Sequence, residues 1–285
     1  MSSFLDKSQR VLSDRKMLKA YVAWLATKAL TGRPPRQAIG NGVQIGEWIN
    51  FSEYWSCSTS IGITAGEKAF ASALLRRGGS QSVAFDLGAN VGVFTCYLAA
   101  SGTGQVHSFE PVPDTFVRLK KNVLANNLGE RCCLNCMAVG RDFDLVTFRV
   151  DATSPGTNGI AAVEEKHEQR GSLLQKVATI SLDEYCRLAG IHQIDFLKID
   201  VEGMEVLTLE GGLGLFREKR VRGVLMEVCP RNLNSAGTSP AALYAGIVGV
   251  GYEAFRLTTG GSLGQRLSAA DLQAIDSENI ALLPD

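Results

Sequence analysis

Apolar residues in this chain fall into short runs separated by segments of helical period. Val83, Ala84 and Phe85 lead into Asp86 and a turn with glycines at 88 and 92. An apolar run that ends in an acid and a glycine-spaced turn is how a buried parallel strand hands over to a helix. The following helix begins at Val91 and ends near Gly102, and a second strand is read at 105–109. Pro113 sits where a helix start tolerates it, and Phe116, Leu119 and Val123 recur at i, i+3 and i+7 until Gly129. Strand three is read at 132–139, strand four at 196–199 and strand five at 224–228. Residues 252–257 and 279–283 supply the last two, the final one antiparallel. This alternation predicts an α/β fold with a mostly parallel, seven-stranded sheet covered by helices on both faces.

The pattern breaks twice. Short apolar stretches at 145–150 and 177–180 flank a polar segment, so 145–178 reads as a mobile surface insertion. Its centre, 151–176, is expected to be a lid over the substrate, with Asn158-Gly159 supplying a turn and an amide for hydroxyl groups. Ser181 and Glu184 then cap a short helix that ends at Gly190. At the other end, 17–30 is an amphipathic helix whose apolar centre is far too short to span a bilayer, and no small-residue cleavage site follows it. It packs on the body of the protein or on a second copy, with membrane-surface binding as the other reading. Residues 50–60 are aromatic and polar without a clean period. Thr64 and Glu67 form a capping box for a helix that carries Phe70 and Leu74 and stops at Gly78-Gly79. The division is therefore a helical N-terminal extension and cover, 1–62, and a ligand-binding domain, 63–285.

Composition narrows the partners. The 285 residues are 45% hydrophobic, enough for a sizeable core, and Lys plus Arg equals Asp plus Glu at 29 each. No overall basic field draws the chain to nucleic acid, so a small-molecule substrate is the expected partner. Seven cysteines, odd in number and scattered, indicate reduced thiols and a cytoplasmic location. Cys133 and Cys136, with Cys132 beside them, lack a second pair, and the three histidines lie far off. Buried small residues of strand three is the reading for these thiols.

The glycines at 88 and 92 have no Cβ, so a ligand can lie directly against the backbone there. Glu110, at the tip of the second strand, is where a ribose diol accepts a carboxylate. The spacing is not that of a dinucleotide fingerprint, and no phosphate loop occurs, which disfavours a pyrophosphate ligand. S-adenosylmethionine, without phosphate, fits both segments. Lys198 interrupts strand four, and alternation puts it on one face with Asp200. The two either satisfy each other or place Asp200 at the reacting methyl group, with Glu202 opening the next helix beside it. Glu227 ends the neighbouring strand in the same way. Asp200, Glu202 and Glu227 are thus candidates to accept a proton, or to hold a divalent cation, for which carboxylate oxygens suit magnesium or calcium better than zinc. His192 reads as a surface residue, His107 as core or edge, and His167 lies in the insertion.

Four segments then carry a resemblance. Asp86-Leu87-Gly88-Ala89-Asn90-Val91-Gly92, Phe109-Glu110-Pro111, Ser181-Leu182-Asp183-Glu184 and Asp195-Phe196-Leu197-Lys198-Ile199-Asp200-Val201-Glu202-Gly203-Met204-Glu205 resemble the FkbM family of S-adenosylmethionine-dependent methyltransferases. The similarity runs from about Ser80 to the C-terminus. It implies a Rossmann-like class I methyltransferase fold, with Asp86, Gly88, Asn90 and Gly92 at the methionine half of the cofactor and Glu110 at the ribose. Ala138 falls where the family's adenine pocket lies, and with no acid before Asp142 backbone contacts are expected there. Glu67 is counted with the cofactor-facing residues. The resemblance implies O-methylation of a sugar, glycoside or polyketide-type molecule, with a homo-oligomer through the N-terminal extension as the further expectation. N-methylation by the same fold is the nearest alternative, and a non-catalytic binding module the alternative of another class. An oxidoreductase would need a pyrophosphate loop and a Tyr-x-x-x-Lys helix, and neither occurs.

Overall fold

A computed structural model describes residues 15–59, 63–102, 104–151, 159–160 and 172–285. Helix α1 (Arg15–Thr31) is followed by a hairpin of β1 (Gln37–Gly40) and β2 (Val43–Ile45), then α2 (Phe51–Thr59) and α3 (Ala65–Gly78). Trp24 of α1 is buried against α2, its ring 6.0 Å from that of Phe51. Phe51–Thr59 is therefore a helix despite the lack of period, because its aromatics pack in more than one direction. Thr64 caps α3 through the expected box: Glu67 N donates to its hydroxyl, and Thr64 N donates to the Glu67 carboxylate.

The body alternates β3 (Val83–Leu87), α4 (Val93–Ala100), β4 (Gln105–Phe109), α5 (Pro113–Ala125) and β5 (Cys132–Asn135). The chain then leaves the main sheet for β6 (Ala138–Val139), β7 (Asp144–Asp151), β8 (Gly159–Ile160) and β9 (Ser172–Ile180), which form a sheet of their own in the order β6-β9-β7-β8. It returns through α6 (Leu182–Ala189), β10 (Phe196–Ile199), α7 (Glu205–Gly211), α8 (Leu213–Arg217) and β11 (Val224–Val228). It ends with α9 (Pro230–Ser235), α10 (Pro240–Gly249), β12 (Tyr252–Leu257), β13 (Leu263–Arg266), α11 (Ala269–Ala274) and β14 (Glu278–Pro284).

The main sheet has the order β13-β12-β14-β11-β10-β3-β4-β5. The expected seven strands are present, with β14 antiparallel to both neighbours and inserted between β11 and β12. This is the Rossmann-like class I methyltransferase order, with β13 added as an edge hairpin. Strand three is shorter than expected: 132–139 divides after Asn135, and its two halves join different sheets. Its thiols are not core either, since Cys133 and Cys136 are exposed and Cys132 is half-buried. The insertion is not wholly surface. Phe148, Val150 and Val177 are buried in a cluster with Val112, Ala138 and Met204. Of the expected lid, 151–176, Asp151, Gly159–Ile160 and 172–176 are built into β7, β8 and β9, whereas the rest, with Asn158 and His167, lies outside the described residues.

Alternation along the strands sorts side chains into two layers. Phe85, Leu197, Ile199 and Met226 pack under α6, α7 and α10, whereas Ala84, Val106, Phe196 and Leu225 pack under α3, α4 and α5. Asp86, Lys198 and Glu227 share the parity of the second set, which brings them to one face of the sheet. Among the described residues, no helix is long and apolar enough to cross a membrane.

Candidate active site

A cavity of about 280 Å³ opens at the carboxyl ends of β3, β4, β10 and β11, where open α/β sheets bind ligands. Its lining includes Asp86, Gly88, Asn90, Glu110, Ala138, Lys198, Asp200, Glu202 and Glu227. The topology thus brings together residues that lie up to about 140 positions apart in sequence.

The β3–α4 turn is tied to β4: the amides of Gly88 and Ala89 donate to Phe109 O at 3.0 and 2.9 Å. Gly88 has φ +78°, and a β-carbon there would stand 1.8 Å from the carbonyl oxygen of Asp200. Gly92 has φ +91°, and its β-carbon would meet Leu119 Cδ1 at 2.5 Å. Both glycines are therefore accounted for by chain direction and by neighbouring protein atoms, and Gly88 also lines the cavity. Gly92 is not among the cavity-lining residues; it precedes α4 and packs on α5.

Glu110 is buried and receives Asn90 N at 3.0 Å on one oxygen and Val112 N at 2.9 Å on the other. Burial raises its pKa to about 7, against the partial relief of those amides and of the Arg118 charge. Each carboxylate oxygen retains acceptor capacity for a hydroxyl. Asp86 accepts a 2.6 Å hydrogen bond from Thr95 on Oδ2, while Oδ1 is buried without a partner among the described residues. Burial pushes its carboxyl up, although Lys198 and Thr95 act the other way. Ala138 stands in the apolar group formed by Val112, Phe148 and Met204 at the cavity wall. Glu67 lines the cavity with both oxygens occupied, one by Thr64 N and the other by Asn279 Nδ2 at 2.7 Å.

The catalytic candidates meet at the tips of β10 and β11. Lys198 Nζ lies 2.6 Å from Asp200 Oδ2 and 4.9 Å from the centre of the Phe94 ring. Burial alone would lower the Lys198 pKa, but the Asp200 and Asp86 carboxylates outweigh it and hold the ammonium charged. Burial likewise opposes ionisation of Asp200, and the Lys198 charge overrides it, so the Asp200 pKa is lowered. Glu227 faces Asp200, with an oxygen of each within 4.8 Å of the other, and accepts from Ser277 Oγ at 2.9 Å. Burial, then the Asp200 charge, raises it to about 7. Glu202 does not open a helix: it stands at φ +51° in the turn before α7, where Asn232 Nδ2 donates to it. Burial, with Asp200 and Glu227 nearby, raises it to about 9. One oxygen from each of Asp200, Glu202 and Glu227 lies within 4.8 Å of the others, close enough for one divalent ion.

The two described histidines, His107 and His192, are elsewhere. His107 is buried on the opposite face, stacked on Phe85 and 2.9 Å from Tyr185 Oη, and burial lowers it to about 4. His192 is exposed. Trp48, Glu53 and Asn279 also line the cavity, and sequence reasoning missed them. They come from an aperiodic stretch and from the distant last strand, and no local pattern marks them.

Residues 86–253, more than half of the chain, match the family model described as the methyltransferase FkbM domain. Three curated relatives align with the chain. The hexuronic acid methyltransferase AglP of Haloferax volcanii is 28% identical over 189 residues, covering 66% of this chain and 72% of that protein. The 31-O-demethyl-FK506 methyltransferase FkbM of Streptomyces tacrolimicus is 28% identical over 152 residues, covering 45% of this chain and 58% of the relative. Methyltransferase 1 of Beauveria bassiana is 25% identical over 147 residues, covering 46% and 58%. The match to the latter two therefore spans little more than half of their length.

Proposed function

The chain belongs to the FkbM methyltransferase family, and we propose that it transfers a methyl group from S-adenosylmethionine to a hydroxyl of a sugar, glycoside or polyketide-type molecule. The names of two relatives, a hexuronic acid methyltransferase and a 31-O-demethyl-FK506 methyltransferase, support an oxygen-bearing acceptor. The cleft suits the cofactor: Glu110 takes the ribose hydroxyls, the unpartnered Asp86 Oδ1 takes a donor of the methionine end, and Val112, Ala138, Phe148 and Met204 bracket the adenine. When bound, the cofactor supplies a sulfonium methyl carbon already open to displacement.

The protein's own task is alignment and proton removal, because an aliphatic hydroxyl is scarcely ionised at neutral pH. In our reading the acceptor hydroxyl hydrogen-bonds to the Asp200–Glu227 carboxyl pair. Lys198 keeps Asp200 ionised, and the proton leaves the hydroxyl for Glu227 as the oxygen–carbon bond forms and the carbon–sulfur bond breaks. The two carboxyls act as one titrating unit. The observation that carries this reading is the Lys198–Asp200–Glu227 cluster on the cavity wall beside the Asp86–Gly88 turn. Lys198 already neutralises Asp200 and Asn232 already serves Glu202, so the reading needs no divalent ion.

The test is incubation with methyl-labelled S-adenosylmethionine and a panel of hydroxylated acceptors, with product identification by NMR. Label in a methyl ether is expected. Label only on nitrogen, or no transfer to any hydroxylated acceptor, would overturn the assignment.

A further inference from the structure

Residues 44–53 run as a strap along α5, held by side chains spaced four apart on one helix face, Arg118, Asn122 and Asn126. Asn126 exchanges two 2.9 Å hydrogen bonds with the main chain of Gln44. Asn122 does the same with Gly46, accepting from its amide at 2.9 Å and donating to its carbonyl at 3.1 Å. Arg118 grips both oxygens of Glu53, at 2.7 and 3.0 Å, and reaches Glu47 O at 3.3 Å. Gln44 and Gly46 are thus held by their backbone, while Glu53 is held through its carboxylate and Glu47 by Lys121 Nζ at 3.1 Å.

Trp48 sits within this strap. It is 5% exposed, it lines the cavity, and its indole Nε1 has no partner among the described residues. An indole N–H can only donate, and a buried donor without an acceptor destabilises the fold until something accepts from it. Its position indicates what does. Asn122 Nδ2 bonds Val91 O at 2.9 Å as well as Gly46 O, which fixes the strap over the β3–α4 turn. The same turn sends Asn90 N to Glu110, and Arg118 stands on the helix that follows Glu110. Trp48 is thus on the Glu110 side of the cavity.

We propose that Trp48 is a cofactor-binding residue, donating through Nε1 to a ribose hydroxyl oxygen while Glu110 accepts the hydroxyl protons. The two roles are complementary, since a hydroxyl that donates to a carboxylate keeps lone pairs for an N–H. The strap is then the outer wall of the cofactor site, and α5 its mount. This inference rests on the S-adenosylmethionine reading above.

Trp48→Phe keeps an aromatic ring and deletes the donor. Calorimetric titration with S-adenosylhomocysteine is expected to give a dissociation constant about five- to tenfold higher than wild type, the range of one lost hydrogen bond. Thermal stability without ligand should not fall, and the acceptor KM should not change. For either the 2′-deoxy or the 3′-deoxy analogue, the one lacking the oxygen that Trp48 serves, wild type and variant should bind alike. Equal binding of S-adenosylhomocysteine by wild type and variant would overturn the inference alone, as would the same weakening for both analogues, which would reveal lost packing. No binding by the wild type would overturn the cofactor reading itself and the inference with it.

Discussion

Gly88 is seated directly on Asp200: a β-carbon at residue 88 would lie 1.8 Å from the Asp200 carbonyl oxygen, and the backbone stands at φ +78°. The turn expected to carry the cofactor is thus in main-chain contact with Asp200, the carboxyl that faces the candidate base Glu227. Gly88→Ala must push the two apart and strain a left-handed residue. A loss of at least about 3 kcal/mol of stability is expected from crowding plus backbone strain, together with loss of S-adenosylhomocysteine binding. Urea denaturation and calorimetry measure both; wild-type values in both would show that the turn tolerates the displacement.

Lys198 is 4% exposed and is the register partner of Asp86 as well as the ion-pair partner of Asp200. Lys198→Met leaves two carboxylates facing each other without a cation. A cost of about 3 to 5 kcal/mol is expected at pH 8, smaller at pH 5.5, where the carboxyls take up protons instead. Denaturation at the two pH values checks this, and an equal loss at both would mean that the ammonium is not what neutralises the acids.

Glu227, raised to about 7, is placed to gain and lose a proton near neutrality. In the wild type, kcat/KM should climb with pH through about 7 as Glu227 ionises. Glu227→Gln should lower kcat at least about a hundredfold and abolish that rise, with S-adenosylhomocysteine affinity unchanged. Activity should also survive exhaustive chelation. Abolition by EDTA and restoration by magnesium would assign Asp200, Glu202 and Glu227 to a cation.

The buried acids set the pH dependence of stability. Burial raises Glu110 and Glu205 to about 7, and Glu202 to about 9, from an ordinary 4.5. A carboxyl whose folded pKa is raised contributes fully below 4.5, and that contribution is lost as pH climbs to the folded value. His107, lowered from 6.5 to about 4, acts in the opposite sense and costs stability as pH falls through that range. With several acids against one imidazole, the ligand-free protein should unfold at lower temperature at pH 8.5 than at pH 5.5. Glu110→Gln should flatten the slope. A melting temperature that rises over this interval would contradict the assignment of these acids as buried and raised.

Much of the main sheet was legible because its strands are apolar runs closed by glycines and acids: β3, β4, β10 and β11 lie where the pattern puts them. Four features were not. β13 is exposed at every position and is held by backbone pairing, so it has no burial signal. Residues 132–139 read as one strand because hydrophobicity does not register the change of sheet after Asn135. The glycines at 88 and 92 announced a tight turn, but the protein atoms that demand them, Asp200 O and Leu119 Cδ1, are far off in sequence. The strap escaped notice for a similar reason. Arg118 and Glu53 are 65 residues apart, and a pair at that distance leaves no periodic trace. At the site, the acids could be named from their places at strand tips. Which of them is ionised and which protonated follows only from the mutual distances of Lys198, Asp200 and Glu227.

The most direct test is calorimetric titration of the wild-type protein with S-adenosylhomocysteine, alongside Glu110→Ala and an NAD control. Saturable binding to the wild type is expected, weakened in the variant by about 1.5 to 3 kcal/mol for each charge-assisted hydrogen bond lost, with no heat from NAD. Absence of S-adenosylhomocysteine binding, or binding of NAD in its place, would contradict the methyltransferase site at the ends of β3 and β4.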